Sequence, residues 1–165
     1  MKKLALLAAF LCVVATVGFA QGTYAKDGML VAPGSLIANA GVSFNYGYGF
    51  GLGGGVEYSI GKFVLAEKLP FSYGAAARLG LYLSSGVSVS AGVLGTLHFS
   101  WAALDLPSTL AWVKNIDTYI GLGLSVLPSI SFNSIAGSSY FLSKSLAVNF
   151  ESGLSATYIG VLYKF

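Results

Sequence analysis

Four side chains in this sequence invite a chemical reading: Glu57, Arg78, His98 and Glu151. Arg78 is the only arginine and His98 the only histidine. A lone histidine without a cysteine or clustered carboxylates lacks the ligand spacing of a metal site. No metal and no other cofactor is expected. Catalysis by a nucleophile needs a base within reach, and His98 has no evident partner in the sequence. No serine stands in a G-x-S-x-G elbow either. No catalytic residue is assigned, and the chain reads as non-enzymatic. Gly49, Gly51 and Gly54 match the dinucleotide fingerprint G-x-G-x-x-G formally. That motif works only where a helix follows and points its N-terminus at the pyrophosphate. The residues after Gly54 alternate as a strand, so the glycines read as small lumen residues, or as room for large ones opposite.

The elements that must hold these groups are read from alternation. From Leu36 to Ile60 the even positions include Val42, Phe44, Phe50, Leu52, Val56 and Tyr58. The odd positions include Asn39, Ser43, Gly51, Gly53, Gly55 and Glu57. Strand side chains alternate faces, so one face is bulky and apolar while the other is small and polar. A soluble sandwich would carry charges on its outward face, and here the second face has almost none. Lipid on one side and a crowded lumen on the other gives this pattern.

Composition agrees. The chain of 165 residues is 55% hydrophobic and only 9% charged, against about 25% charged in soluble domains. Beyond the N-terminus no run reaches the roughly 18–20 apolar residues of a spanning helix. Residues 1–20 read as a secretory signal peptide: Lys2 and Lys3, an apolar stretch from Leu4 to Val17, then small residues ending at Ala20. Cleavage there removes Cys12, the only cysteine, so no disulfide is expected. It also removes two of the nine basic residues, leaving seven against six acidic ones. A net charge of +1 gives no reason to expect a nucleic-acid partner.

Residues 21–34 read as a periplasmic lead-in, and 35–165 as the barrel. The first two strands fall at about 35–46 and 50–60. Gly61-Lys62 is turn-like, and Phe63 to Pro70 either extends a strand edge or forms a longer connection, with Pro70 arguing against a central strand there. From Phe71 to Leu83 the odd positions are apolar, with Arg78 on the other face. Ser84-Ser85-Gly86 turns into a fourth strand, where Val87, Val89, Val93 and Phe99 face out and Thr96 and His98 face in. Residues 102–115 do not alternate, and Asp105 to Ser108 could cap a short helical turn. Four further strands follow. The sixth, with Phe132, Ala136 and Tyr140, is weaker in pattern. The seventh turns Asn149 and Glu151 inward, and the last carries Ile159, Val161, Tyr163 and Phe165 on one face. The expected fold is all-β: an eight-stranded antiparallel up-and-down transmembrane barrel behind a signal-peptide helix.

The chain resembles the small eight-stranded outer-membrane β-barrel proteins, the broad group of OmpX-, OmpA- and OmpW-like barrels. The resemblance rests on the leader, on Asp117 to Leu124, on the hairpin Tyr140 to Glu151, and on the ending Tyr158 to Phe165. It implies residence in the bacterial outer membrane. The partners it implies are outer-membrane lipid, periplasmic chaperones and the barrel-assembly machinery, which reads a final aromatic with apolar partners: Ile159, Val161, Tyr163 and Phe165. It implies a structural role, or limited passage or binding of small, even hydrophobic, molecules. One departure stands out. Family members display long extracellular loops, but here the connections on that side, near 46–50, 84–86, 127–129 and 152–155, are short. The longer ones, 61–70 and 102–115, fall on the periplasmic side, which weakens an adhesin reading.

Two expectations complete the reading. A lipid-facing Arg near the midplane costs about 2–4 kcal/mol, so Arg78 belongs in the lumen. Glu57, Arg78 and Glu151 are expected to form one interior ion-pair network, with His98 lumenal or at the rim. Trp101 and Trp112 suit interfacial girdles. The competing reading is a soluble periplasmic or secreted lipocalin-like barrel with its apolar face inward around an apolar ligand. A barrel acyltransferase is a third, and it lacks a base for its nucleophile.

Overall fold

The computed structural model describes residues 24–45, 49–83, 86–153 and 156–165. The signal-peptide reading of residues 1–20 therefore lies outside the described residues. Eight strands run in chain order: β1 Leu36–Asn45, β2 Gly49–Leu65, β3 Leu69–Leu83, β4 Val87–Ser100, β5 Ile116–Leu127, β6 Ser131–Phe141, β7 Leu146–Gly153 and β8 Ala156–Lys164. Each pairs antiparallel with the next, and β1 pairs with β8, so the sheet closes on itself. Closure removes both sheet edges, the liability of any open sheet.

The bulky face looks outward. Phe44, Leu52, Val93 and Val161 are 48%, 57%, 53% and 49% exposed. The inward positions carry Asn39, Ser43, Glu57, Ser72, Thr96, His98, Asp117, Ser139 and Asn149, all buried. The middle of the lumen is thus polar and the exterior apolar, the reverse of a water-soluble core, while buried apolar side chains such as Ile37, Phe141 and Leu162 gather at one end.

The second strand is longer than alternation suggests. It runs to Leu65, and β3 begins at Leu69, so the stretch 61–70 is mostly a projecting hairpin rather than a connection. Of the two readings open for Phe63 to Pro70, the strand extension holds, and a bulge between Ser59 and Gly61 is what breaks the alternation before it. One extra residue reverses the parity. Phe63 then returns to the outer face, stacked on Phe71 at 5.4 Å between ring centroids. Pro70 is tolerated at the hairpin's end, paired with Val64. Ala66 and Glu67 make the turn with φ of +50° and +60°.

Phe71 also meets Phe99 at 5.2 Å, and Phe99 meets Trp101 at 6.3 Å. This aromatic row crosses β2, β3 and β4 at the end of the barrel where β1 begins and β8 ends. Between β4 and β5 the chain makes 3-10 turns at Trp101–Ala103 and Ser108–Asn115. The helical turn is present, but no side chain caps it: Pro107 occupies the N-cap position.

The lead-in also departs from expectation. Met29, Leu30 and Val31 are 2%, 0% and 1% exposed. They enter the barrel mouth rather than lying outside it. Leu30 and Val31 pack against Ile37, Phe141, Ala147 and Leu162. The inward Phe141 and Ile135 explain the weak pattern of β6: two large side chains point in, while Ser134 and Ser138 point out.

Candidate functional site

The lumen side chains are placed by cross-strand register. Gly55 of β2 lies opposite Arg78 of β3, and Gly137 of β6 opposite Tyr119 of β5. A Cβ on Gly55 would sit 2.6 Å from Arg78 Cδ, and one on Gly137 would sit 2.4 Å from Tyr119 Cζ. Each glycine therefore makes the space in which a large neighbour lies flat. Eight strands enclose little room, which favours such small partners for bulky lumen residues.

Four candidate residues meet in the lumen. Arg78 Nη2 lies 3.2 Å from Glu57 Oε2 and 3.2 Å from Glu151 Oε2. Its Nε donates to the same Glu151 oxygen at 3.2 Å. His98 Nε2 is 2.6 Å from Glu57 Oε1, and Thr96 Oγ1 donates to that oxygen at 2.6 Å. One carboxylate thus joins the arginine to the histidine.

His98 does have a partner beyond Glu57. Its Nδ1 lies 2.6 Å from Asp117 Oδ2. Asp117 stands two residues before Tyr119 on the same strand face, so its inward direction was legible. Its meeting with His98, 19 positions earlier, was not. The β4–β5 register pairs His98 with Tyr119 and Ser100 with Asp117. That register depends on how the intervening 3-10 segment closes. Sequence reasoning also missed Tyr119, whose hydroxyl donates to Glu151 Oε2 at 2.8 Å and stacks its ring on His98.

With both ring nitrogens against carboxylates, His98 suits an imidazolium that donates twice. Neither nitrogen is open to take a proton from a hydroxyl. Two cations then face three carboxylates, and buried charges persist only when paired and hydrogen-bonded in this way. No group of His, Cys, Asp and Glu among the described residues has the arrangement to hold a metal ion.

The network continues to the plugged end. Ser100 Oγ donates to Asp117 Oδ1 at 2.6 Å and accepts from the Leu30 amide at 2.8 Å. Ser72 Oγ donates to the Val31 carbonyl at 2.5 Å, and Lys164 Nζ to the Leu30 carbonyl at 2.6 Å. Three strands therefore hold the N-terminal segment by its backbone. At the opposite end, between the short hairpins, the lumen opens as a cup of about 540 Å³ floored by Arg78 and Glu151. Ile159, Val161, Tyr163 and Phe165 stand on the outer wall, with the last two rings 4.9 Å apart.

No family model matches the chain, and no curated protein matches it. Among solved structures it is similar to one described as "De novo design of transmembrane beta-barrels", with a TM-score of 0.50. The match covers 81% of this chain and 97% of that one at 20% identity. At that identity the likeness is one of fold. The chain is a closed eight-stranded antiparallel β-barrel, an architecture it shares with a transmembrane barrel.

Proposed function

We propose that this chain is a non-enzymatic integral barrel of the bacterial outer membrane, delivered by residues 1–20 as a signal peptide. The observation that carries the reading is the outer wall. Leu52, Leu79, Val93, Ile120, Leu122 and Val161 stand among many large apolar side chains left open on it. Exposed apolar area on that scale is what a hydrocarbon solvent stabilises, at about 25 cal/mol per Å². The aromatic row Phe63, Phe71, Phe99 and Trp101 fits the headgroup level at the periplasmic side.

The OmpX/OmpA/OmpW-like group is the natural home for such a chain. Ile159, Val161, Tyr163 and Phe165 would serve there as the signal for the barrel-assembly machinery, with periplasmic chaperones carrying the unfolded chain. The lumen network and the packed segment at Met29 to Val31 favour a structural or binding role over free passage. Two tests follow. In cells, alkaline carbonate should leave the protein in the membrane fraction. Release into the supernatant overturns the reading and favours the soluble lipocalin-like barrel. In planar bilayers, the intact protein should show no steady conductance, and deletion of residues 24–33 should raise it.

A further inference from the structure

The cup at the open end is a built cavity that the lumen network does not use up. Its volume of about 540 Å³ lies within the roughly 300–1,000 Å³ of small-molecule sites. Among the described residues, the charged side chains lining it are Arg78 and Glu151, and these are paired with each other at 3.2 Å. Arg78 is further held by Glu57. Neither charge is left over for an ionic ligand.

The walls carry neutral hydrogen-bonding groups instead, among them Ser43, Ser90, Ser125 and Asn133, with the rings of Tyr82 and Tyr158. Hydroxyls and amides both donate and accept. Aromatic rings offer a flat apolar face beside them. Together they match a ring compound that has hydroxyls on its rim and C–H groups on its face.

A second observation points the same way. Tyr158 and Asn39 line the cup and are 8% and 9% exposed. The Tyr158 hydroxyl and Asn39 Oδ1 are buried with no hydrogen-bond partner among the described residues. Asn39 lies opposite Gly55, beside the Arg78 stem, so it belongs to the floor. A donor and an acceptor kept dry are costly, and buried polar groups are almost always satisfied. A ligand hydroxyl, which donates and accepts at once, would satisfy both once the two side chains turn toward the cup.

We propose that the cup binds an uncharged polyhydroxylated molecule of one or two sugar rings, with Tyr158 and Asn39 at its deep end. The outward direction of the cup rests on the membrane reading, but binding itself does not. The test uses the full chain refolded in lauryldimethylamine oxide, whose headgroup carries no sugar. Folding is checked by heat-dependent gel mobility, and binding by calorimetry with glucose, galactose and maltose. Glycine betaine and inorganic phosphate serve as charged controls. Saturable sugar binding is expected, weakened about tenfold by Tyr158→Phe and at least severalfold by Asn133→Ala. Heat-shifted, folded protein that binds none of the sugars overturns the proposal. So does binding that both variants leave unchanged, or tighter binding of either control. Competition by an alkyl maltoside against maltose separates a lipid-borne sugar from a free one, and either result upholds the site. Release by alkaline carbonate would sink the membrane reading alone, because binding in micelles is scored separately.

Discussion

Replacing Arg78 with methionine tests whether the lumen network holds the barrel together. The methionine keeps an apolar stem over Gly55 and removes only the guanidinium. The guanidinium makes 3.2 Å contacts to Glu57 and to Glu151. A hydrogen bond to a charged group nets about 1.5–3 kcal/mol. Contacts of 3.2 Å are longer than the best charge-assisted bonds, of about 2.7–2.9 Å, so the lower figure applies to each. Two such losses come to about 3 kcal/mol, the lower bound for breaking a buried ion pair, about 3–5 kcal/mol. Glu57 keeps Thr96 and His98, and Glu151 keeps Tyr119, which argues against a larger figure. The assay is urea unfolding of protein refolded into phosphatidylcholine vesicles, followed by the fluorescence of Trp101 and Trp112. With a slope of about 1–3 kcal/mol per molar urea, the midpoint should fall by about 1–3 M. The double change Arg78→Met/Glu151→Gln should cost clearly less than the two single changes summed, because they share one interaction. A loss under about 0.5 kcal/mol, the scatter of an ordinary surface substitution, would refute the network as a stabilising device. New conductance with little loss of stability would instead make Arg78 part of a gate.

Three further outcomes are expected. Gly137→Val should abolish the folded, heat-shifted gel band, because its Cβ would lie 2.4 Å from Tyr119 Cζ; adding Tyr119→Ala should restore the band. Leu30→Ala should destabilise the fully buried N-terminal segment by about 2–5 kcal/mol, read as faster proteolysis near residue 30 with strands β1–β8 still protected. Leu52→Arg should lower stability in vesicles by about 2–4 kcal/mol if its site is near the midplane, whereas Ser88→Arg at the cup rim should cost under about 1 kcal/mol in the same titration.

Most of the fold was legible because alternation is local information. Phe44, Leu52 and Val93 point out, and Ser43, Thr96 and His98 point in, just as their positions in the strands require. Alternation was ambiguous where one residue reset the phase: past Ser59 the bulge turned Phe63 outward and hid the end of β2. It was faint in β6, where Ile135 and Phe141 spend bulk on the interior. The candidate cluster was half legible. Glu57, Arg78 and Glu151 could be grouped because parity put all three inside. Asp117 could not be joined to His98, because parity gives the face and not the height. Height is set by register across a 15-residue connection. The burial of Met29, Leu30 and Val31 had no periodic signal at all. Such a short segment is positioned by what it meets, here Ser72, Ser100 and Lys164.

The seam between β1 and β8 has a consequence for how this chain is made. Its pairs run from Ile37 with Lys164 to Asn45 with Ala156, so they join stretches more than a hundred positions apart. Until that last stretch emerges, β1 and β7 both present bare rows of amide and carbonyl groups, ready to zip onto any neighbouring chain. Truncated products are therefore sticky, and completed ones are not. The slow event in maturation should be the meeting of the first and last strands, since distant contacts carry the largest entropic delay.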